Sequence, residues 1–135
     1  MKTTKIIYWT TTGLVALMMS YSVYAYLTVA AVDQAFHRLG YPSYFRVELA
    51  FAKLAGVIAL LIPSSRIKEW AYAGFTIVFI SAFIAHTVAG DPVSARISPI
   101  VSLALLVVSY LSYYKLQRQD QTRIDKKTTL SHNLQ

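Results

Sequence analysis

Residues 44–62 read YFRVELAFAKLAGVIALLI, a run apolar enough to enter a bilayer that nonetheless carries Arg46, Glu48 and Lys53. Three further apolar runs lie around it, in residues 6–32, 67–89 and 99–116. Each approaches the roughly 20 residues that carry a helix across a hydrocarbon core. Four such runs lead to the expected fold, an all-α integral membrane four-helix bundle.

Composition agrees with that reading. The chain is 56% hydrophobic and 14% charged, a departure from soluble proteins toward the membrane class. Its net charge of +7 would suit nucleic acid only if the bases formed a stripe on a folded surface. Here they flank apolar runs instead, and nucleic acid is not expected as a partner. The absence of cysteine excludes disulfides, thiolate metal sites and dithiol relays, and no metal site is expected.

The first run resembles a signal peptide at its start but continues past the weak cleavage positions Val23 and Ala25 to Val32, so it is expected to be retained. Gly13, Ser20, Tyr21, Tyr24 and Thr28 recur along it at helical spacing, which suggests a small, hydroxylated packing face. Residues 33–39 are expected to form a short interfacial helical turn, ended by Gly40 and Pro42. Pro63-Ser64-Ser65 should make a tight hairpin with Ser65 as cap and Glu69 in the following first turn. Gly90-Asp91-Pro92 closes the third run. The fourth is expected to start at Ser98 and Pro99, or at Asp91 and Pro92 with Pro99 as a kink. Ser98, Ser102, Ser109 and Ser112 mark a close-packing seam on it. The polar tail, residues 118–135, lacks an apolar face and is expected to be disordered and cytoplasmic.

Lys and Arg counts orient the chain. Nine basic residues lie at the termini and in the 62–68 connection against Arg38, Arg46 and Arg96 on the other side, which places both termini in the cytoplasm. On that topology Glu48 and His86 fall at similar depths, roughly 6 Å in, while Lys53 lies about 13 Å below the start of its helix. Tyr21 and Ser81 share the level of Lys53. Ionisable groups inside a membrane are rare, face protein or water, and mark functional sites by default. Glu48, Lys53 and His86 are thus the candidate intramembrane polar site, with Tyr21, Tyr24, Ser81 and Asp91 supporting it. Glu48 and Lys53 are about 140° apart around the helix and should address different neighbours. Their adjacent alternative is a buried network that fixes helix order, and Arg46 and Arg96 are expected to snorkel to the interface.

Gly40-Tyr41-Pro42, Glu48 with Lys53 and Gly56, the segment Lys68-Glu69-Trp70-Ala71-Tyr72-Ala73-Gly74-Phe75, and His86 followed by Gly90-Asp91 together resemble the DoxX-like membrane proteins over residues 8–116. The resemblance implies a compact four-helix protein of a bacterial cytoplasmic (inner) membrane, with the Glu, Lys, His and Asp positions as its recurring polar set. It does not imply one activity. Some relatives are linked to thiosulfate and quinone oxidoreduction or to redox stress complexes. The first expectation is a small redox-associated or quinone- or lipid-binding subunit of the bilayer, with a membrane redox partner or a homo-oligomer. The alternatives are a small oligomeric ion-coupled carrier, and a structural assembly partner of a membrane complex. A haem site has little support, since His37 and His86 are the only histidines near the spans.

Overall fold

The computed structural model describes residues 2–135 and contains five helices rather than the expected four: α1 (Lys2–Thr28), α2 (Ala30–Arg38), α3 (Ser43–Leu61), α4 (Ser65–Val88) and α5 (Val93–Asn133). No strand occurs among the described residues. The four long helices close into a ring in which α1 packs on α3 and α5, and α4 packs on the same two neighbours. The short α2 lies against α3 and α1.

The connections follow from backbone chemistry. Gly40 and Gly90 adopt left-handed φ angles of 83° and 72°, which a side chain would resist. Each ends a helix in the same way. Tyr41 N–H donates to the Phe36 carbonyl and Gly40 N–H to that of His37, just as Asp91 and Gly90 donate to His86 and Thr87. These paired bonds satisfy carbonyls that a helix end leaves open. A proline follows each time, Pro42 or Pro92, at the N-cap of the next helix. An arginine follows four residues later, Arg46 or Arg96, so the two turns at this end of the bundle share the pattern G-x-P-x-x-x-R.

Several boundaries differ from expectation. The first run is not one helix to Val32: α1 stops at Thr28, and Val29 is extended at φ −91° and ψ 118° before α2 begins. No Gly or Pro explains that break. The Arg46 guanidinium sits at it, donating to the Tyr26 carbonyl, which a continuous helix would give to the N–H of Ala30. Ser64, not Ser65, is the N-cap of α4, and it makes no side-chain cap bond. α5 begins at Val93, with Pro99 inside it, so the alternative start holds. The tail, expected to be disordered, is drawn as helix: α5 continues to Asn133, and residues 121–133 of it are exposed on every side.

Inside and outside are arranged for lipid. Large apolar side chains such as Leu17, Ile58, Ile77 and Leu111 face outward, at 50–70% exposure, while Thr12, Ser102, Ser109, Lys53 and Lys68 are buried. A soluble bundle would show the reverse. α1, α4 and α5 are long and apolar enough to cross a membrane. α3 has 19 residues, about 28 Å of helix, and holds Arg46, Glu48 and Lys53 between those spans. The core joins Val15 and Met19 of α1, Val57 and Leu60 of α3, Tyr72, Phe75 and Phe79 of α4, and Leu106 of α5.

Candidate functional site

Lys53 is the centre of the site. It sits mid-way along α3, only 5% exposed, where the face of α3 toward the core meets α1. Its ammonium donates to Ser22 Oγ at 2.8 Å and lies 3.7 Å from the centre of the Tyr26 ring. Ser22 and Tyr26 are four residues apart and so lie above one another on a single face of α1. Among the described residues no carboxylate pairs with Lys53.

Arg46 lies two turns before Lys53 on the same face, and does have a carboxylate. Its Nε donates to Asp33 Oδ1 at 3.0 Å, with only 16% of the Arg46 side chain exposed. It is therefore packed against α1 and α2 rather than snorkelling to the interface. His37 stands 3.6 Å from Asp33 and bonds Ser43 at 3.1 Å. Phe36 covers this corner, in edge contact with Tyr26 and tilted contact with Phe45 and Tyr41.

Lys53 also lines a groove of about 310 Å³ between α3 and α4. Its walls are small where the helices face each other, Ala52, Gly56 and Ala59 on α3 and Ala71 and Gly74 on α4, with the Trp70 and Phe75 rings alongside. Gly56 leaves room there for the Phe75 ring, since a Cβ would stand 2.7 Å from Phe75 Cζ.

The other expected site residues go elsewhere. Glu48 is exposed and makes no hydrogen bond or ion pair among the described residues, so it joins neither Lys53 nor His86. His86 instead bonds its own turn partner: Nδ1 is 2.7 Å from Asp91 Oδ2. That pairing closes the α4–α5 turn, which Arg96 braces from Nε to the Asp91 carbonyl at 2.9 Å. Tyr21 and Tyr24 are 71% and 62% exposed, and Ser81 is exposed as well. The α1 face marked by Gly13, Ser20, Tyr21, Tyr24 and Thr28 is thus mostly the outer one, and the packing face is Thr4, Tyr8, Thr12, Val15, Met19 and Val23.

A second polar layer lies nearer the chain termini. Lys68, expected as a flanking surface charge, is 6% exposed and donates to Tyr8 Oη at 2.6 Å and to the Leu60 carbonyl at 2.8 Å. Tyr72 Oη, Ser109 Oγ and Thr12 Oγ1 form a hydrogen-bonded chain of 2.7 and 2.6 Å. Ser102, Ser109 and Ser112 are buried along α5 and bear out the seam, whereas Ser98 is exposed. The signal for Lys68 was its place only four residues after the Ser64 cap, within reach of the preceding helix's last carbonyls. Ten residues of α1, about 15 Å, separate Thr12 from Ser22, and Val15, Met19, Phe75, Phe79 and Leu106 fill the interval.

The model of the DoxX-like family matches residues 10–109, a stretch that includes both turns, Lys53, Lys68 and the α3–α4 groove. The chain belongs to the DoxX-like family. No curated protein and no solved structure matches it. This DoxX-like chain therefore joins two polar layers, one at Lys53 and one at Lys68, through an apolar centre in a membrane-embedded helical ring.

Proposed function

We propose that this DoxX-like protein is a small redox-associated membrane subunit that holds a lipid-soluble, carbonyl-bearing ligand of the quinone class at Lys53. The observation that carries the reading is a buried ammonium without a carboxylate. Three N–H donors meet one hydroxyl and one aromatic face, which leaves hydrogen-bonding capacity for an acceptor brought from outside. An unpaired charge in hydrocarbon is costly, and a ligand carbonyl or anionic head offsets part of that cost.

The groove fits such a ligand. Its volume of about 310 Å³ lies at the lower end of small-molecule sites, enough for a ring and the first part of a lipid tail. Trp70 and Phe75 supply aromatic walls, and the small residues of α3 and α4 leave the side toward lipid open. A quinone, when bound, supplies exchange of two electrons and two protons with a partner. The chain's part is to orient the carbonyl against Lys53. Four spans, both termini in the cytoplasm and a bacterial inner membrane complete the proposal, on the nine-to-three basic bias and the family. The ion-coupled carrier has less support, because the two polar layers are separated by the apolar centre.

The test is lipid extraction and mass spectrometry of protein taken up in native-lipid discs. Wild type should carry quinone in near-stoichiometric amount, and Lys53→Met should lose it at unchanged abundance and melting temperature. Equal quinone in both proteins, or none in wild type, overturns the reading.

A further inference from the structure

The α3–α4 groove continues toward the α2 end of the bundle, and its continuation is polar. Glu48, Ala52, Ala55 and Ala59 stand at i, i+4, i+7 and i+11, which is one row along α3. The three alanines line the groove. Glu48 therefore extends that wall by one turn, about 6 Å beyond Ala52. Across the groove, Trp70, Gly74 and Ser81 stand at i, i+4 and i+11 along α4, and the first two line it. The two helices run antiparallel from the turn at residues 62–64, from which Glu48 lies about 21 Å and Ser81 about 26 Å. A carboxylate and a hydroxyl thus flank the same mouth.

Both groups are exposed, and neither side chain makes a hydrogen bond or ion pair among the described residues. Ser81 differs in this from its neighbours. Thr76 and Thr87 on the same helix, and Ser102 on α5, return their protons to the carbonyls of Tyr72, Phe83 and Ser98. Hydrocarbon offers a carboxylate no partner of its own. Charge of the opposite sign stands further in, where Lys53 lines the groove about 7.5 Å along the helix axis from Glu48.

We infer that Glu48 and Ser81 form the second polar contact of the ligand held at Lys53, and that the groove takes the hydroxyl-bearing quinol in preference to the quinone. The inference rests on the quinone-class reading of Lys53 and adds which redox form the site selects. An ammonium has only donors and a carboxylate only acceptors. The carbonyls of a quinone can satisfy Lys53 but leave Glu48 unanswered. A quinol satisfies both, since one oxygen accepts from Lys53 while the O–H across the ring donates to Glu48, beside the Ser81 hydroxyl. A single ring with an oxygen at each end bridges such a gap once a hydrogen bond of about 2.8 Å is added at each side. Hydrogen bonds to charged groups are roughly twice as strong as neutral ones, and one of them is worth roughly tenfold in affinity.

The test measures retention of a short-tailed benzoquinone, and of its quinol kept reduced under nitrogen, by protein in lipid discs, with protein-free discs subtracted. Wild type should hold the quinol roughly tenfold more tightly than the quinone. Glu48→Leu should bring the two forms within about twofold while leaving quinone affinity as it was, which also shows that the variant is folded. Glu48→Gln, which still accepts a hydrogen bond, should keep part of the preference, and Ser81→Ala should reduce it less than Glu48→Leu does. Lys53→Met should lose both forms. If Lys53→Met loses the quinone but wild type and Glu48→Leu share one ratio of affinities, the Lys53 reading stands and this inference falls, with Glu48 serving the lipid headgroups instead. If wild type retains neither form, both fall.

Discussion

Lys68 Nζ lies 2.8 Å from the carbonyl oxygen of Leu60, so a cation at the start of α4 closes the end of α3 across the tight turn between them. The same ammonium takes Tyr8 Oη at 2.6 Å, tying α1 to the hairpin. The last carbonyls of a helix carry partial negative charge and lack intrahelical partners. A buried lysine there satisfies both conditions at once.

Replacing Lys68 by Met should therefore destabilise the bundle by about 1–3 kcal/mol, the range for leaving buried polar partners unmade. Tyr8→Phe should cost less, since the ammonium keeps the Leu60 carbonyl. Unfolding in mixed micelles, with the double variant to measure coupling, checks both values. Additive effects would show that the two contacts are independent.

Arg46 should hold the break between α1 and α2. In Arg46→Met the Tyr26 carbonyl and the Asp33 carboxylate lose their donor. Asp33 is 36% exposed, so water recovers part of the loss and the expected cost is about 1–2 kcal/mol. Amide exchange over residues 29–32 should rise more than elsewhere. Uniform exchange across α1 and α2 would mean that the break is set by something other than Arg46.

Gly56→Ala puts two effects in opposition. Alanine favours a helix by about 0.8–1 kcal/mol over glycine. Its Cβ, however, would meet the Phe75 ring at 2.7 Å, and Phe75 is 3% exposed and stacked on Phe79. Overpacking of this kind costs about 1–3 kcal/mol, so net destabilisation is expected, with partial rescue by Phe75→Leu. A gain in stability from Gly56→Ala alone would show that the ring moves freely.

Deleting residues 122–135 should leave the melting temperature of the bundle within about 2 °C, because those residues are all exposed and exposed substitutions usually act by less than 0.5 kcal/mol. The far-ultraviolet helix signal should drop in proportion. The excised segment alone should be largely unfolded, since a short helix in water must bear its own nucleation cost, whereas α5 supplies the first turns in the intact chain. A fall in bundle stability would reveal a contact for this helix that the ring does not make.

The polar residues show how far one sequence can be read. Lys53 was legible as an interior group because charge in the middle of an apolar run must find protein, whatever the fold. His86 and Asp91 were legible as site candidates, and their pairing is local, five residues apart around a glycine turn. Glu48 was not. Its distance from His86 depends on the rotation of α3 about its own axis, which depth alone does not determine.

What the sequence by itself determined is the class and the punctuation: all-helical, membrane-embedded, with turns where Gly40 and Gly90 take left-handed angles before Pro42 and Pro92. The tertiary structure decided which side of each helix is inside. Lipid is as apolar as the core, so α1 shows almost no amphipathic pattern, and its true packing face at Thr12, Val15 and Met19 looked no different from its outer one. Only the neighbours distinguish them, through Ser109 against Thr12, Lys53 against Ser22, and Arg46 reaching back to the Tyr26 carbonyl twenty residues earlier in the chain.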